Sequence, residues 1–100
     1  MSKLTINIPH HLSQDEALTR IKKLLGSLKE QHKELISSVK EEWKGNAADF
    51  GLSAKGFDVS GIINVQPKAV DIDADLPFAL SFFKGSISKV ISDKASQLLA

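Results

Sequence analysis

The sequence contains no cysteine. This absence excludes disulfide bonds, thiolate metal sites and thiol nucleophiles, and it is typical of a protein from a reducing compartment. A charge excess is also missing, since thirteen basic residues stand against twelve acidic ones and give a formal net charge of +1. A nucleic-acid interface normally needs a strongly basic face, so we do not expect nucleic acid among the partners.

Long apolar runs are absent as well. The N-terminal stretch MSKLTINIPHH has no apolar core of signal-peptide length, and no stretch approaches the roughly 18 residues that a bilayer-spanning helix needs. We therefore expect a cytoplasmic protein without a membrane span. The chain has no internal repeat or linker, and its 42% hydrophobic and 25% charged residues over 100 positions predict a single domain, residues 1–100.

The clearest local signal covers residues 13–32, SQDEALTRIKKLLGSLKEQH. Ser13 and Glu16 form a capping box, in which each side chain can satisfy a backbone N–H that has no partner inside the helix. The apolar residues that follow recur at steps of three and four: Leu18, Ile21, Leu24, Leu25 and Leu28. A helix continued to residue 39 would be about 39 Å long, more than the roughly 33 Å diameter of a globule of this size. We therefore predict one helix from residue 14 to about residue 33.

Alternation of apolar and polar residues predicts five strands, over residues 3–8, 36–43, 48–54, 57–65 and 70–75. The last four are joined by short turn sequences, which permit only antiparallel neighbours. A second apolar stripe predicts a final helix over residues 86–99. The expected fold is α+β: a five-stranded antiparallel sheet with two helices on one face, in the order β-α-β-β-β-β-α. This layout is similar to that of the larger helix-grip lipid carriers.

Two groups of polar residues are candidates for a metal or catalytic site. Three aspartates alternate with apolar residues on the last strand: Asp71, Asp73 and Asp75. They could hold a hard cation, although a solvated sheet face is the favoured interpretation. For His10, a corner histidine that packs and hydrogen-bonds is favoured over a metal ligand, because the adjacent His11 points to the opposite side of an extended chain. No catalytic triad spacing or phosphate-binding loop occurs, so the sequence favours neither an enzyme nor a metal or cofactor site.

The segment LPFALSFF, residues 76–83, is almost entirely apolar. One turn of the chain cannot bury all of these side chains. Exposed apolar patches usually mark binding surfaces, so core packing and surface contact both remain open for this segment. The candidate binding residues are Leu76, Phe78, Phe82 and Phe83.

Short motifs follow one another along nearly the whole chain. They are His10-His11-Leu12, Asp15-Glu16-Ala17, Trp43-Lys44-Gly45-Asn46 with Phe50, GFDVSGIINV at 56–65, Val70-Asp71-Ile72 and Leu76. By this set the sequence resembles the family of putative polyhydroxyalkanoic acid system proteins. The resemblance implies that the partner is a polyhydroxyalkanoate granule or a protein. It supplies no catalytic residues. Asn46 and Ser88 stand where the family pattern leads us to expect acidic residues.

Several motif positions also have structural explanations. We expect Gly56 in a tight turn and Gly61 at a close approach of the backbone. Trp43 and Phe50 are expected to form a cross-strand pair.

Two functional hypotheses follow. The first is a non-catalytic accessory or binding protein that contacts a polymer surface or a partner protein through residues 76–83. The alternative is a binding protein for a small hydrophobic ligand, such as a lipid or acyl chain, with a cavity between the helices and the sheet lined by Leu25, Ile63 and Phe83. An enzyme would instead need His10 or Asp71 to converge with other polar groups in a pocket.

Overall fold

The alternating segments form one five-stranded antiparallel sheet in the computed structural model, which describes residues 2–100. The strands are β1 (Ser2–Pro9), β2 (Ile36–Lys44), β3 (Ala47–Ala54), β4 (Phe57–Val65) and β5 (Ala69–Leu76). Their spatial order is β1-β5-β4-β3-β2, so the strands β2 to β5 form successive hairpins and β1 pairs with β5. The predicted strands are confirmed, each within one residue of its expected bounds.

The register of these strands collects the apolar side chains on one face. Ile6, Ile72, Ile63 and Ala48 form a row across four strands, with each residue paired to the next. The opposite face carries mainly polar side chains, because successive residues of a strand point to opposite sides. The helices cover the apolar face, which confirms the predicted α+β fold.

The helical segments are α1 (Gln14–Ile21), α2 (Leu24–Gln31), a 3₁₀ helix (Phe78–Phe83) and α3 (Lys84–Leu99). The cap at Ser13 is confirmed, because its hydroxyl accepts a hydrogen bond from the Glu16 N–H at 3.1 Å. The Glu16 carboxylate does not complete the capping box. It forms an ion pair with Arg20 at 3.0 Å, one turn further along the helix.

The prediction of one continuous helix from residue 14 is wrong. The Lys23 N–H donates to the Arg20 carbonyl at 3.1 Å, a bond to the third preceding residue instead of the fourth, so the chain turns more tightly there. This turn redirects the chain from α1, which packs on β4, to α2, which packs on the edge strand β2. The second difference is the start of the final helix, which begins at Lys84 instead of residue 86, so that Gly85 lies in its first turn.

His10 fixes the corner between β1 and α1. Its side chain is only 6% exposed, and its Nδ1 accepts a hydrogen bond from the Leu12 N–H at 3.2 Å. Because Nδ1 is an acceptor, Nε2 carries the proton and donates to the Gln66 carbonyl at 3.0 Å. The expected corner histidine is therefore confirmed.

Gly61 lies at a close approach of neighbouring groups in the sheet. It pairs with Phe50 of β3 and Ala74 of β5. A Cβ at this position would lie 2.8 Å from two ring carbons of Phe50 and would collide with the Asp73 carbonyl oxygen. The expected close approach is confirmed, and the Phe50 ring occupies the space that a side chain at this position would need.

No helix within residues 2–100 has both the length and the apolar character to cross a bilayer.

The contact at Gly61 predicts a large loss of stability for Gly61→Ala. We expect the free energy of unfolding to fall by about 1–3 kcal/mol, because the new methyl group must displace both a backbone oxygen and an aromatic ring. Urea denaturation measures this change. Gly51→Ala is the matched control, since a Cβ there would meet only the Val59 carbonyl at an ordinary 3.7 Å; it should leave stability unchanged or raise it by up to about 1 kcal/mol. Equal losses for the two variants would contradict this assignment.

Candidate functional site

An apolar cavity opens at one end of the sheet, where the β3–β4 turn meets the α2–β2 loop and the start of α3. Its volume is about 210 Å³. The apolar lining comes from both helical and sheet elements: Leu28, Leu35, Ile36, Leu52, Ala54, Val59, Ala74, Leu80, Phe83, Ile87, Val90 and Ile91. The sheet contributes short side chains at Ala54 and Ala74, and this leaves space between the sheet and the helices above it.

The volume sets the size of a fitting ligand. An apolar cavity of about 150 Å³ holds a benzene molecule of six carbon atoms. Scaling by volume, this cavity fits about eight non-hydrogen atoms. A cavity of this size suits a small apolar group or part of a longer chain.

Three polar residues lie among the lining: His32, Lys55 and Ser86. Lys55 belongs to the two-residue turn between β3 and β4, in which both Lys55 (φ +52°) and Gly56 (φ +82°) have left-handed backbones. The Lys55 N–H donates to the Leu35 carbonyl at 2.9 Å, which holds this turn against the α2–β2 loop. The expected tight turn at Gly56 is thus confirmed, and it carries a lysine to the edge of the cavity.

His32 ends α2 beside the cavity. Its own N–H donates to the Leu28 carbonyl, and its carbonyl accepts from the N–H groups of Leu35 and Ile36, at 2.8–2.9 Å. The half-buried His32 ring is therefore carried by a backbone that is fixed on both sides. The predicted helix ends next to His32, but no sequence pattern assigns this residue to a site.

Three exposed phenylalanines lie in the 3₁₀ helix that leads into α3. Phe78, Phe82 and Phe83 are 75%, 85% and 54% exposed. A 3₁₀ helix repeats every three residues, so Leu80 and Phe83 share the side that faces the cavity, and the other two rings point away from it. Phe83 is thus both partly exposed and part of the cavity lining.

Leu76 does not belong to this exposed group, and its assignment to a contact surface is wrong. It is 0% exposed, because it continues the inward-facing alternation of β5 after Val70, Ile72 and Ala74. The predicted lining is also only partly found: Phe83 lines the cavity, but Leu25 and Ile63 are buried in the core away from it.

The aspartate stripe lies on the polar face of the sheet. The Asp71 carboxylate accepts hydrogen bonds from Asn7 Nδ2 at 2.5 Å and Gln66 Nε2 at 2.6 Å. Asp73 and Asp75 follow at alternate positions on the same face. Within residues 2–100, no group of three or more histidine and acidic side chains is arranged to hold a metal ion.

Trp43 and Phe50 do not face each other, so the predicted cross-strand pair is wrong. The register sets Trp43 opposite Ala48 and Phe50 opposite Glu41, which makes the two aromatic residues diagonal neighbours. The indole N–H of Trp43 donates to Glu41 at 2.6 Å, and the Lys22 ammonium lies 5.8 Å from the centre of the Trp43 ring. Trp43 thereby joins β2 to the turn between α1 and α2.

The sequence matches the model of a family described as putative polyhydroxyalkanoic acid system protein over residues 4–99. No curated protein matches it significantly. Among solved structures, it is similar to the di-domain ARO/CYC BexL from the BE-7585A biosynthetic pathway, with a TM-score of 0.52 and 7% sequence identity. This similarity covers 98% of the chain and 50% of BexL, so the chain spans about half the length of that protein. At this identity the comparison supports the fold alone.

Proposed function

The chain belongs to the family of putative polyhydroxyalkanoic acid system proteins, and we propose that it is a binding protein whose cavity holds one aliphatic chain. The observation that carries this proposal is the cavity itself, with about 210 Å³ of space between apolar walls. The family name supports the aliphatic class, because polyhydroxyalkanoic acids are polyesters of hydroxylated aliphatic acids. The fold similarity to BexL supports the arrangement of helices and sheet on which the cavity depends.

The expected affinity follows from the size of the cavity. Transfer of one methylene group from water to an apolar site contributes about 0.8 kcal/mol. Six or seven methylene groups therefore contribute about 5 kcal/mol, which corresponds to a dissociation constant of about 0.1–1 mM. This range suits a protein that takes up and releases a chain segment quickly.

The cavity predicts binding of octan-1-ol, a neutral probe of suitable size. Titration followed by methyl NMR should shift the signals of Ile87, Val90 and Ile91, whereas the signal of Ile6, on the edge strand β1, should stay unchanged. Ala54→Phe should weaken binding at least tenfold, because the added ring occupies the cavity. Ala47→Phe is the matched control at the other end of β3, and it should bind as the wild type does. Equal binding by both variants, or no binding by the wild-type protein, would contradict the proposal.

A second candidate function is supported by the exposed rings of Phe78 and Phe82. A phenylalanine side chain offers about 150–250 Å² of apolar surface, so the two rings expose about 300 Å². This approaches the size of the largest apolar patch on a typical monomer, and such patches often have a function. In this family, the partner that fits best is the apolar surface of a polyhydroxyalkanoate granule.

For this surface contact, the double variant Phe78→Asp with Phe82→Asp should lose most binding to polyhydroxyalkanoate particles. Two charges would have to be removed from water at the contact, and this costs more than the contact gains. Cosedimentation with the particles measures the bound fraction. Ile62→Asp is the control, because Ile62 is 51% exposed on the opposite face of the sheet. Phe83 is left unchanged, so that the cavity stays intact. Unchanged sedimentation of the double variant would refute the surface contact.

A further inference from the structure

We propose that the cavity selects aliphatic chains that end in a carboxylate, and that the carboxylate lies at Lys55. This inference rests on the proposed function, in which the cavity holds an aliphatic chain, and it adds the chemistry of the head group. The apolar walls surround the chain and leave the head group at the edge of the cavity, where Lys55 lies.

The charge of the lining supports an anion. Lys55 is the one lysine, arginine, aspartate or glutamate that lines the cavity. It takes part in none of the four ion pairs found within residues 2–100. A carboxylate would supply the opposite charge together with a strong hydrogen-bond acceptor. A single cation suits one negative charge better than a phosphate or a coenzyme A group, since multiply charged groups are usually met by several cations or by backbone N–H groups.

The backbone at Lys55 is an independent observation. Its left-handed conformation (φ +52°) is one that asparagine and glycine adopt readily, and the preferred pair for such a two-residue turn is Asn-Gly. A lysine therefore brings no advantage to the turn itself. Strained residues that persist in a fold tend to lie at functional sites, and here the strained residue is also the one that brings a charge to the cavity.

The setting of Lys55 gives the head group a defined position. The hydrogen bond from its N–H to the Leu35 carbonyl, at 2.9 Å, holds the turn beside the loop that follows His32. The His32 ring and the Ser86 hydroxyl belong to the same lining and can donate further hydrogen bonds to a carboxylate, which has room for about four.

Two ligands share this chemistry: a free aliphatic acid and the carboxylate end of a polyester chain. Sodium octanoate represents the first, and an oligomer of 3-hydroxybutyrate with a free carboxyl end represents the second. Octan-1-ol, which has the same chain length but no charge, measures the contribution of the cavity walls alone.

The test compares dissociation constants from NMR titrations at low salt. Lys55→Asn should weaken octanoate binding about fivefold more than octan-1-ol binding, because one ion pair at an accessible edge contributes only modestly. Asparagine is compatible with the left-handed backbone, so this variant should keep the turn. Lys55→Arg should retain octanoate binding. Added salt should reduce the preference for octanoate, since it screens the charge.

Lys68→Asn is the matched control, because it removes the same charge from the exposed turn between β4 and β5 at the other end of the sheet. It should leave the octanoate affinity unchanged. The assignment is overturned if octanoate binding does not depend on Lys55, or if Lys68→Asn has the same effect. In either case continued binding of octan-1-ol would leave the proposed function intact, whereas loss of binding for every ligand to the wild-type protein would refute both. Tighter binding of the oligomer than of octanoate would identify the polyester chain end as the source of the carboxylate.

Discussion

The structure depends on the alternation of side chains along four antiparallel hairpin strands. Because every second residue points to the same face, the register decides which side-chain sizes meet beneath the helices. At the centre of the sheet, the ring of Phe50 fills the space above Gly61. Ala74 lies beside Gly61 in the same row, and Ala54 lies next to the β3–β4 turn. Both carry short side chains on the inward face, and both line the cavity. The same pattern that builds the core therefore leaves it incomplete at one end.

The strands could be predicted closely because their signal is local. Alternation and the turn sequences at Lys44-Gly45-Asn46 and Lys55-Gly56 fix both the limits and the antiparallel pairing of the strands. The break in the first helix could not be found in this way. Ile21, Leu24 and Leu25 are all buried, so the apolar spacing continues across the Lys22–Lys23 turn without interruption. The position of the break reflects the sheet beneath, since α1 and α2 pack on different strands.

The candidate site was predicted only in part, and the reasons differ between residues. The excess of apolar residues over the space one turn can bury indicated that part of the segment 76–83 is exposed, but it left open which side chains are. Leu76 belongs to the same apolar run, but the alternation of β5 assigns it to the buried face. The cavity itself depends on the distance between α3 and the sheet, which no local pattern contains. Lys55 did carry a signal, namely a lysine at a turn position where asparagine is preferred.

The two proposed contacts are linked through the 3₁₀ helix. Its three-residue repeat turns Leu80 and Phe83 toward the cavity and the rings of Phe78 and Phe82 toward solvent. At about 120° per residue, the rings of Phe78 and Phe82 each lie about 120° around the helix axis from the side that Leu80 and Phe83 share. One short segment therefore supplies both a wall of the cavity and an exposed apolar surface beside it. Phe83 belongs to both. An aliphatic chain that extends from a surface bound at Phe82 would therefore reach the cavity lining at Phe83, the next residue of the protein.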